Sequence, residues 1–302
     1  MKSTKFSLAM RALAVVVLVS LVGIIGTRAD AQTKSWEFVR WETAMAVQEN
    51  GDINVRETHS VRFTGSFSFY TRTISHKRID DIEIAKVVDE TNNRELLPGE
   101  YDISPTFFGS DAATEVEIHF SLRDTVQTWS IYYKVKGGVG FFEDHDELYW
   151  NVISSDRDVP IESIETVVQL PQEVDPSQIQ TTYYESGVRE VTQEVIDGLT
   201  IRFTAGKANP GSDFTIVTGW PTGIVQNPGI VRVESFPDDA DVIVAGVDTF
   251  LETPVGLRRG RELTGPGPFT VQVRKYGITS QRYQVEVEPG ATSVQQISVF
   301  DT

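Results

Sequence analysis

Polar and apolar side chains alternate strictly between Ile53 and Thr64. One set of alternate positions is entirely polar and comprises Asn54, Arg56, Thr58, Ser60, Arg62 and Thr64. The opposite set is mostly apolar and includes Ile53, Val55, Val61 and Phe63. Because successive side chains of a β-strand point to opposite faces, this period of two predicts a half-buried strand.

A turn signal precedes this strand. Asn50-Gly51 favours a hairpin, because both central positions of a type I′ turn need a positive φ angle. We therefore expect residues 44–47 to pair back onto the strand that begins at Ile53.

The same alternation recurs at residues 115–122, 129–136 and 199–203, with turn residues between the segments. Short alternating segments separated by Gly, Pro and Asn predict an all-β fold, and we expect a β-sandwich over residues 32–225. Five Gly, Pro and Asn residues between positions 221 and 229 indicate a domain boundary. Residues 226–302 then predict a second, smaller β-sandwich-like domain.

Residues 1–31 have the pattern of a secretory signal peptide. Basic residues precede an uncharged apolar run of 14 residues at positions 12–25, and the leader ends in Ala29-Asp30-Ala31. Small residues at Ala29 and Ala31 are those that a signal peptidase reads, so we predict cleavage before Gln32. A bilayer span needs about 20 residues. Retention of the segment as an anchor is the alternative.

Composition excludes several functions. The chain has a net charge of −16, which argues against nucleic acid as a partner and against simple adsorption to anionic lipid. It contains no cysteine and four histidines, so disulfides and thiolate metal sites are excluded and a transition-metal site is poorly supplied. Phosphate-binding and common hydrolase motifs are absent from the sequence, and no cofactor is predicted.

Ordered landmarks between Trp36 and Val225 resemble the N-terminal extracytoplasmic region of predicted membrane proteins known as domain of unknown function 2207. The resemblance rests on the segments 36–41, 50–57, 63–67, 72–74, 129–135 and 146–152. It implies a place outside the cytoplasmic membrane and association with a membrane protein or with the membrane, since this region usually precedes transmembrane helices. It implies no catalytic residue and no cofactor.

The C-terminal part, residues 229–302, resembles a PEGA domain, a small β module of surface-exposed proteins. The segment Pro237-Asp238-Asp239-Ala240 stands where that family has its naming tetrapeptide, and Thr253-Pro254 matches its usual Thr-Pro. The resemblance implies an adhesive or spacer role.

Two titratable residues fall on an apolar strand face. Glu57 and His59 lie on the inward side of the predicted strand, where an unpaired charge would cost several kcal/mol. Arg72 or Arg78 could supply the partner. We interpret Glu57, His59 and Arg72 as a buried polar cluster; the alternative is a general-base carboxylate with a histidine.

Five titratable residues follow one another at positions 143–147. Asp144, Asp146 and Glu147 are candidate ligands for a hard cation such as Ca²⁺, which takes 6–8 oxygens. A solvated loop between strands is the alternative, because charge clusters usually face solvent. The five tryptophans could likewise stack on a carbohydrate or form the core.

These observations predict an exported, extracytoplasmic, non-enzymatic protein of the cell envelope. We expect it to bind another surface component, either a surface protein or an envelope glycan. Two alternatives stay open. One is an extracytoplasmic hydrolase that uses carboxylates such as Glu57, with a C-terminal targeting module. The other is an accessory or sensor subunit of a membrane protein.

Overall fold

The computed structural model describes residues 34–109, 111–142, 144–227, 229–258, 262–263, 267–288 and 290–300. The predicted signal peptide and its cleavage residues Ala29, Ala31 and Gln32 lie outside the described residues. Apart from a single 3₁₀ turn at Pro176–Gln178, regular structure in the described ranges is β-strand, which confirms the predicted all-β fold. No helix within these ranges is both long and apolar enough to cross a membrane.

The largest sheet has nine strands in the described ranges. These are β1 (Ser35–Val47), β2 (Ile53–Ser75), β3 (Asp81–Asp89), β4 (Arg94–Glu95), β5 (Tyr101–Phe108), β6 (Asp111–Lys136), β9 (Ile164–Gln169), β11 (Thr192–Val195) and β12 (Thr200–Ala205). Their spatial order is β11-β12-β9-β1-β2-β6-β3-β4, and β5 pairs with the first part of β6. The two longest strands, β2 and β6, run antiparallel at the centre of this sheet.

A second sheet completes the sandwich. Its strands are β7 (Val139–Phe141), β8 (Asp146–Ile153), β10 (Gln180–Val188) and β13 (Ala208–Trp220), in the order β10-β13-β8-β7. Buried side chains of both sheets form one hydrophobic cluster, to which Val61 and Ile131 contribute from the first sheet and Leu148 and Ile216 from the second. Sheets that share their inner faces in this way form a β-sandwich.

The hairpin predicted at Asn50-Gly51 is confirmed, although its turn differs from the expected one. Strand β1 pairs antiparallel with β2, and Val47 lies opposite Ile53. Of the two turn residues only Gly51 has a positive φ, at 83°. The Asn50 side chain accepts a hydrogen bond from the backbone N–H of Asp52 at 3.1 Å, so a five-residue loop with an Asx turn replaces the two-residue type I′ turn.

The described residues between positions 229 and 300 form two further sheets around a separate hydrophobic cluster. One contains β14 (Ile230–Phe236), β17 (Val255–Arg258) and β21 (Thr292–Ser298). The other contains β15 (Asp241–Val244), β16 (Val247–Glu252), β18 (Phe269–Lys275), β19 (Ile278–Thr279) and β20 (Tyr283–Val285). Alternating valines of β14 and β18 fill this second cluster, as expected for strands that bury one face.

Strand β6 offers a test of the sandwich core. Ile131 is 1% exposed and Val126 is 45% exposed on the same strand. Ile131→Ala leaves a cavity between the sheets, so we expect the free energy of unfolding to fall by roughly 2–5 kcal/mol in urea titrations. Val126→Ala is the control and should change it little. Equal effects of the two substitutions would contradict this packing.

Candidate functional site

The candidate site begins with a contact between two distant residues of one strand. Glu57 and Arg72 lie 15 residues apart on β2, yet the Arg72 Nε donates to Glu57 Oε1 and Nη2 donates to Oε2 at 3.2 Å. In a straight strand they would be about 50 Å apart. The contact therefore requires β2 to bend back on itself.

Irregular pairing between Phe63 and Phe69 provides this bend. The register of β2 against β6 shifts twice, between Phe63 and Ser66 and between Phe67 and Phe69. Gly65 has a φ of 87°, a conformation that glycine adopts without steric cost, and its N–H donates to Asp124 Oδ1 at 2.7 Å. Bulges bend a strand and increase its twist, so the two halves of β2 can face each other.

The Glu57 carboxylate is buried, and both of its oxygens accept hydrogen bonds. Its side chain is 1% exposed, and besides the two bonds from Arg72 its Oε2 accepts the Tyr133 hydroxyl at 2.8 Å. His59 Nε2 lies 2.8 Å from Oε1, within ion-pair distance but poorly aligned for a hydrogen bond. A buried carboxylate with three hydrogen bonds and the His59 ring beside it meets the requirement that buried charges be paired.

His59 links the carboxylate to the aromatic core. Its Nδ1 lies 2.7 Å from the Tyr70 hydroxyl, and its ring lies 3.9 Å from that of Trp41. A phenol donates readily to an imidazole nitrogen, and Glu57 favours a proton on the other nitrogen. The tautomer with its proton on Nε2 accepts the Tyr70 hydroxyl at Nδ1 and turns its N–H toward Glu57, so we assign it to His59.

The charge state of the cluster follows from its surroundings. Burial alone would raise the pKa of Glu57, but the Arg72 guanidinium and His59 outweigh it and hold that pKa well below its usual range. Burial lowers the pKa of His59, against the opposing effect of Glu57. Burial raises the pKa values of Tyr70 and Tyr133. At neutral pH the cluster is a carboxylate–guanidinium pair surrounded by neutral rings.

Arg72 connects this cluster to a cleft between the sheets. Two adjoining cavities share Arg72, Thr73 and Ser154 in their walls. The smaller, of about 190 Å³, is also lined by Trp36 and Arg157 among others. The larger, of about 330 Å³, is also lined by Lys77, Arg78, Tyr149, Asn151 and Asp213. We call these two cavities together the Arg72 cleft.

The structure brings Glu57, His59 and Arg72 together as a closed cluster. Of the two arginines considered as partners, Arg72 makes the contact. Arg78 lies instead with its guanidinium carbon 4.1 Å from the centre of the Tyr149 ring, which is a cation–π contact.

The acidic run does not form a cation site in the part of the chain that the structure describes. Asp144 bonds to His145 Nδ1 at 2.7 Å, while Glu147 lies 3.8 Å from Nε2 of the same ring. Asp146 is buried at the start of β8, and burial raises its pKa to about 6. No group of three His, Cys, Asp or Glu side chains among the described residues is placed to hold a metal. Glu143 lies outside those residues.

Sequence reasoning missed three members of the site: Tyr70, Tyr133 and Arg157. Tyr133 follows Trp129 and Ile131 on the inward face of β6, where a buried hydroxyl needs a partner. That signal could have linked it to Glu57. Arg157 lies in the loop after β8 and carries no comparable pattern.

The described fold and site define a class: an all-β protein with a sandwich whose bent central strand holds a buried ion pair beneath a cleft. The chain belongs to the family described as predicted membrane protein (DUF2207) N-terminal domain, whose model matches residues 40–220. No curated protein matches the chain.

Two solved structures are similar to part of it. One is described as a "putative protease" from Parabacteroides distasonis, with 11% identity and a TM-score of 0.39 over 62% of this chain and 40% of that one. Another is an M1 zinc metallopeptidase from Deinococcus radiodurans, with 9% identity and a TM-score of 0.36 over 60% and 42%. The chain spans about two-fifths of the length of these proteins.

The buried cluster predicts a specific dependence of stability on pH. The folded-state pKa values of Glu57 and His59 lie below their ordinary values of about 4.3 and 6.5. Unfolding therefore takes up protons in acid. The stability that these groups contribute is present above those values and is lost as the pH falls through them. Glu57→Gln leaves the Arg72 charge uncompensated, so we expect a loss of about 3–5 kcal/mol at pH 7.

Urea unfolding of wild type and variant between pH 3 and pH 8 checks this. The difference in unfolding free energy between wild type and variant should shrink as the pH falls below about 4. The ionised Glu57 carboxylate then contributes less to the stability of the wild-type protein. Glu83→Gln is the control, since Glu83 also pairs with a cation but is exposed, and it should have little effect. A difference that is independent of pH would contradict an ionised Glu57 in the folded protein.

Proposed function

We propose that this protein is an extracytoplasmic binding protein of the cell envelope, which holds a surface component in the Arg72 cleft without transforming it. The observation that carries the proposal is the cleft itself. Its central cation is fixed from behind by Glu57, and polar groups converge on it from both sheets. A concave site with a few fixed polar groups is the usual form of a ligand site.

The lining of the cleft favours a glycan over a surface protein. The larger cavity, of about 330 Å³, lies in the range of small-ligand sites, whereas a stable protein partner covers about 800 Å² on each side. Asn151, Asp213 and Thr215 offer donors and acceptors beside the Tyr149 ring. A sugar hydroxyl both donates and accepts, so groups of this kind suit it.

The alternative of a hydrolase acting through Glu57 draws no support from the geometry. Glu57 is enclosed, both of its oxygens are occupied, and its pKa is lowered rather than raised. A general base needs to reach the proton that it removes and to have a pKa near the working pH. Glu57 instead positions Arg72.

Placement in the envelope is supported by the family description and by the leader-like residues 1–31. In this proposal the mature chain begins near Gln32 and acts outside the membrane, associated with it or with a membrane protein. The PEGA-like module, residues 229–302, serves as a spacer or adhesive unit. This part of the proposal is supported by the separate hydrophobic cluster of the module, which lies within two sheets of short strands.

A substitution that fills the cleft tests the proposal. Ser154 lines both cavities, so Ser154→Trp should block them and abolish binding of the mature protein to envelope glycans from its host, measured by co-sedimentation and calorimetry. Ser121→Trp, at an exposed position of β6 that lines neither cavity, is the control and should bind as wild type does. If both variants retain full binding, or if wild type captures only protein, the glycan cleft is wrong.

A further inference from the structure

We infer that the Arg72 cleft takes a saccharide that carries a carboxylate, and that the acid group lies against Lys77 and Arg78. This inference rests on the function proposed above and names the ligand class of the same site. It comes from the distribution of charge and of unused hydrogen-bond donors around the larger cavity.

Two cations line this cavity without an anionic partner. Lys77 and Arg78 follow β2, are exposed, and form no ion pair with any described residue. Elsewhere some exposed basic residues, such as Arg62, contact a carboxylate, whereas others, such as Arg56 and Lys207, do not. One wall of the larger cavity therefore presents two adjacent cations that no described carboxylate contacts.

The walls also hold donors that no described residue uses. Arg72 uses three of its five N–H groups, two on Glu57 and one on the carbonyl of Thr73, which leaves two. Trp150 Nε1 in the larger cavity wall, and Trp41 Nε1 and Arg157 Nε in the smaller, are buried donors without an acceptor among the described residues. The two N–H groups that Arg72 leaves unused suit an occupant that offers acceptors.

The opposite wall limits how much negative charge the occupant carries. Asp111 and Asp213 line the larger cavity, and neither forms an ion pair with a described residue. Asp213 accepts a bond from the Asn151 amide at 3.3 Å. Carboxylates accept hydrogen bonds from sugar hydroxyls but repel a second acid group at short range. One acid group and several hydroxyls on the ring that enters the cavity, as in a single residue of a polyuronate such as trigalacturonate, match both walls.

Calorimetry with two matched probes tests this. The mature full-length protein should bind a trigalacturonate more tightly than the neutral trisaccharide of galactose, and this preference should weaken when salt is raised from 0.05 to 0.5 M, roughly as screening requires. The double variant Lys77→Gln/Arg78→Gln should bind the trigalacturonate roughly tenfold more weakly or worse, because charge-assisted bonds are lost. Binding of the neutral sugar should stay unchanged.

The double variant Arg56→Gln/Lys207→Gln is the matched control. Both residues are exposed, form no ion pair with a described residue, and lie outside the cleft, so trigalacturonate binding should remain as in wild type. Equal affinity of wild type for the two trisaccharides, or unchanged trigalacturonate binding in the cleft variant, overturns the acid-sugar inference. The proposed function survives either result if Ser154→Trp still abolishes glycan capture. If no glycan binds at all, both fail.

Discussion

The contact between Glu57 and Arg72 is the interaction that joins the core of the sandwich to its cleft. It joins two halves of β2 that a straight strand would separate by about 50 Å, so it exists only where the strand bends. The bend turns the second half of β2 toward β8 and creates one wall of the cleft. The same contact thus closes the core on its inner side and supplies the central cation of the cleft on its outer side.

A buried ion pair is not required for stability alone. Replacement of such a pair by well-packed apolar side chains is often neutral or stabilising, whereas loss of one partner is costly. Here Tyr133 and His59 complete the surroundings of Glu57, so the carboxylate itself is satisfied. Arg72, however, keeps N–H groups that the cluster does not use. A role for those groups in the cleft explains the pair better than folding does.

Sequence patterning predicted the strands and the inward position of Glu57 and His59, because a period of two assigns each residue to a face. It reduced the choice of partner to Arg72 or Arg78 but could not separate them. The register shifts between Phe63 and Phe69 decide which arginine meets Glu57. A bulge changes the sheet face on which every later side chain of the strand lies. The alternation of polar and apolar residues does not show where a bulge occurs. For the same reason the cleft, which joins β2 to β8 and its loop, could not be foreseen.

The position of the cleft follows from an early strand ending. Strand β7 pairs only with residues 146–148 of β8, and no other described strand pairs with β8 on that side. The edge from Tyr149 to Ile153 is thereby left beside the bent half of β2. Unpaired edges invite association with other chains unless something covers them. Arg78 lies over the Tyr149 ring, so a charged side chain covers this part of the edge instead of another strand.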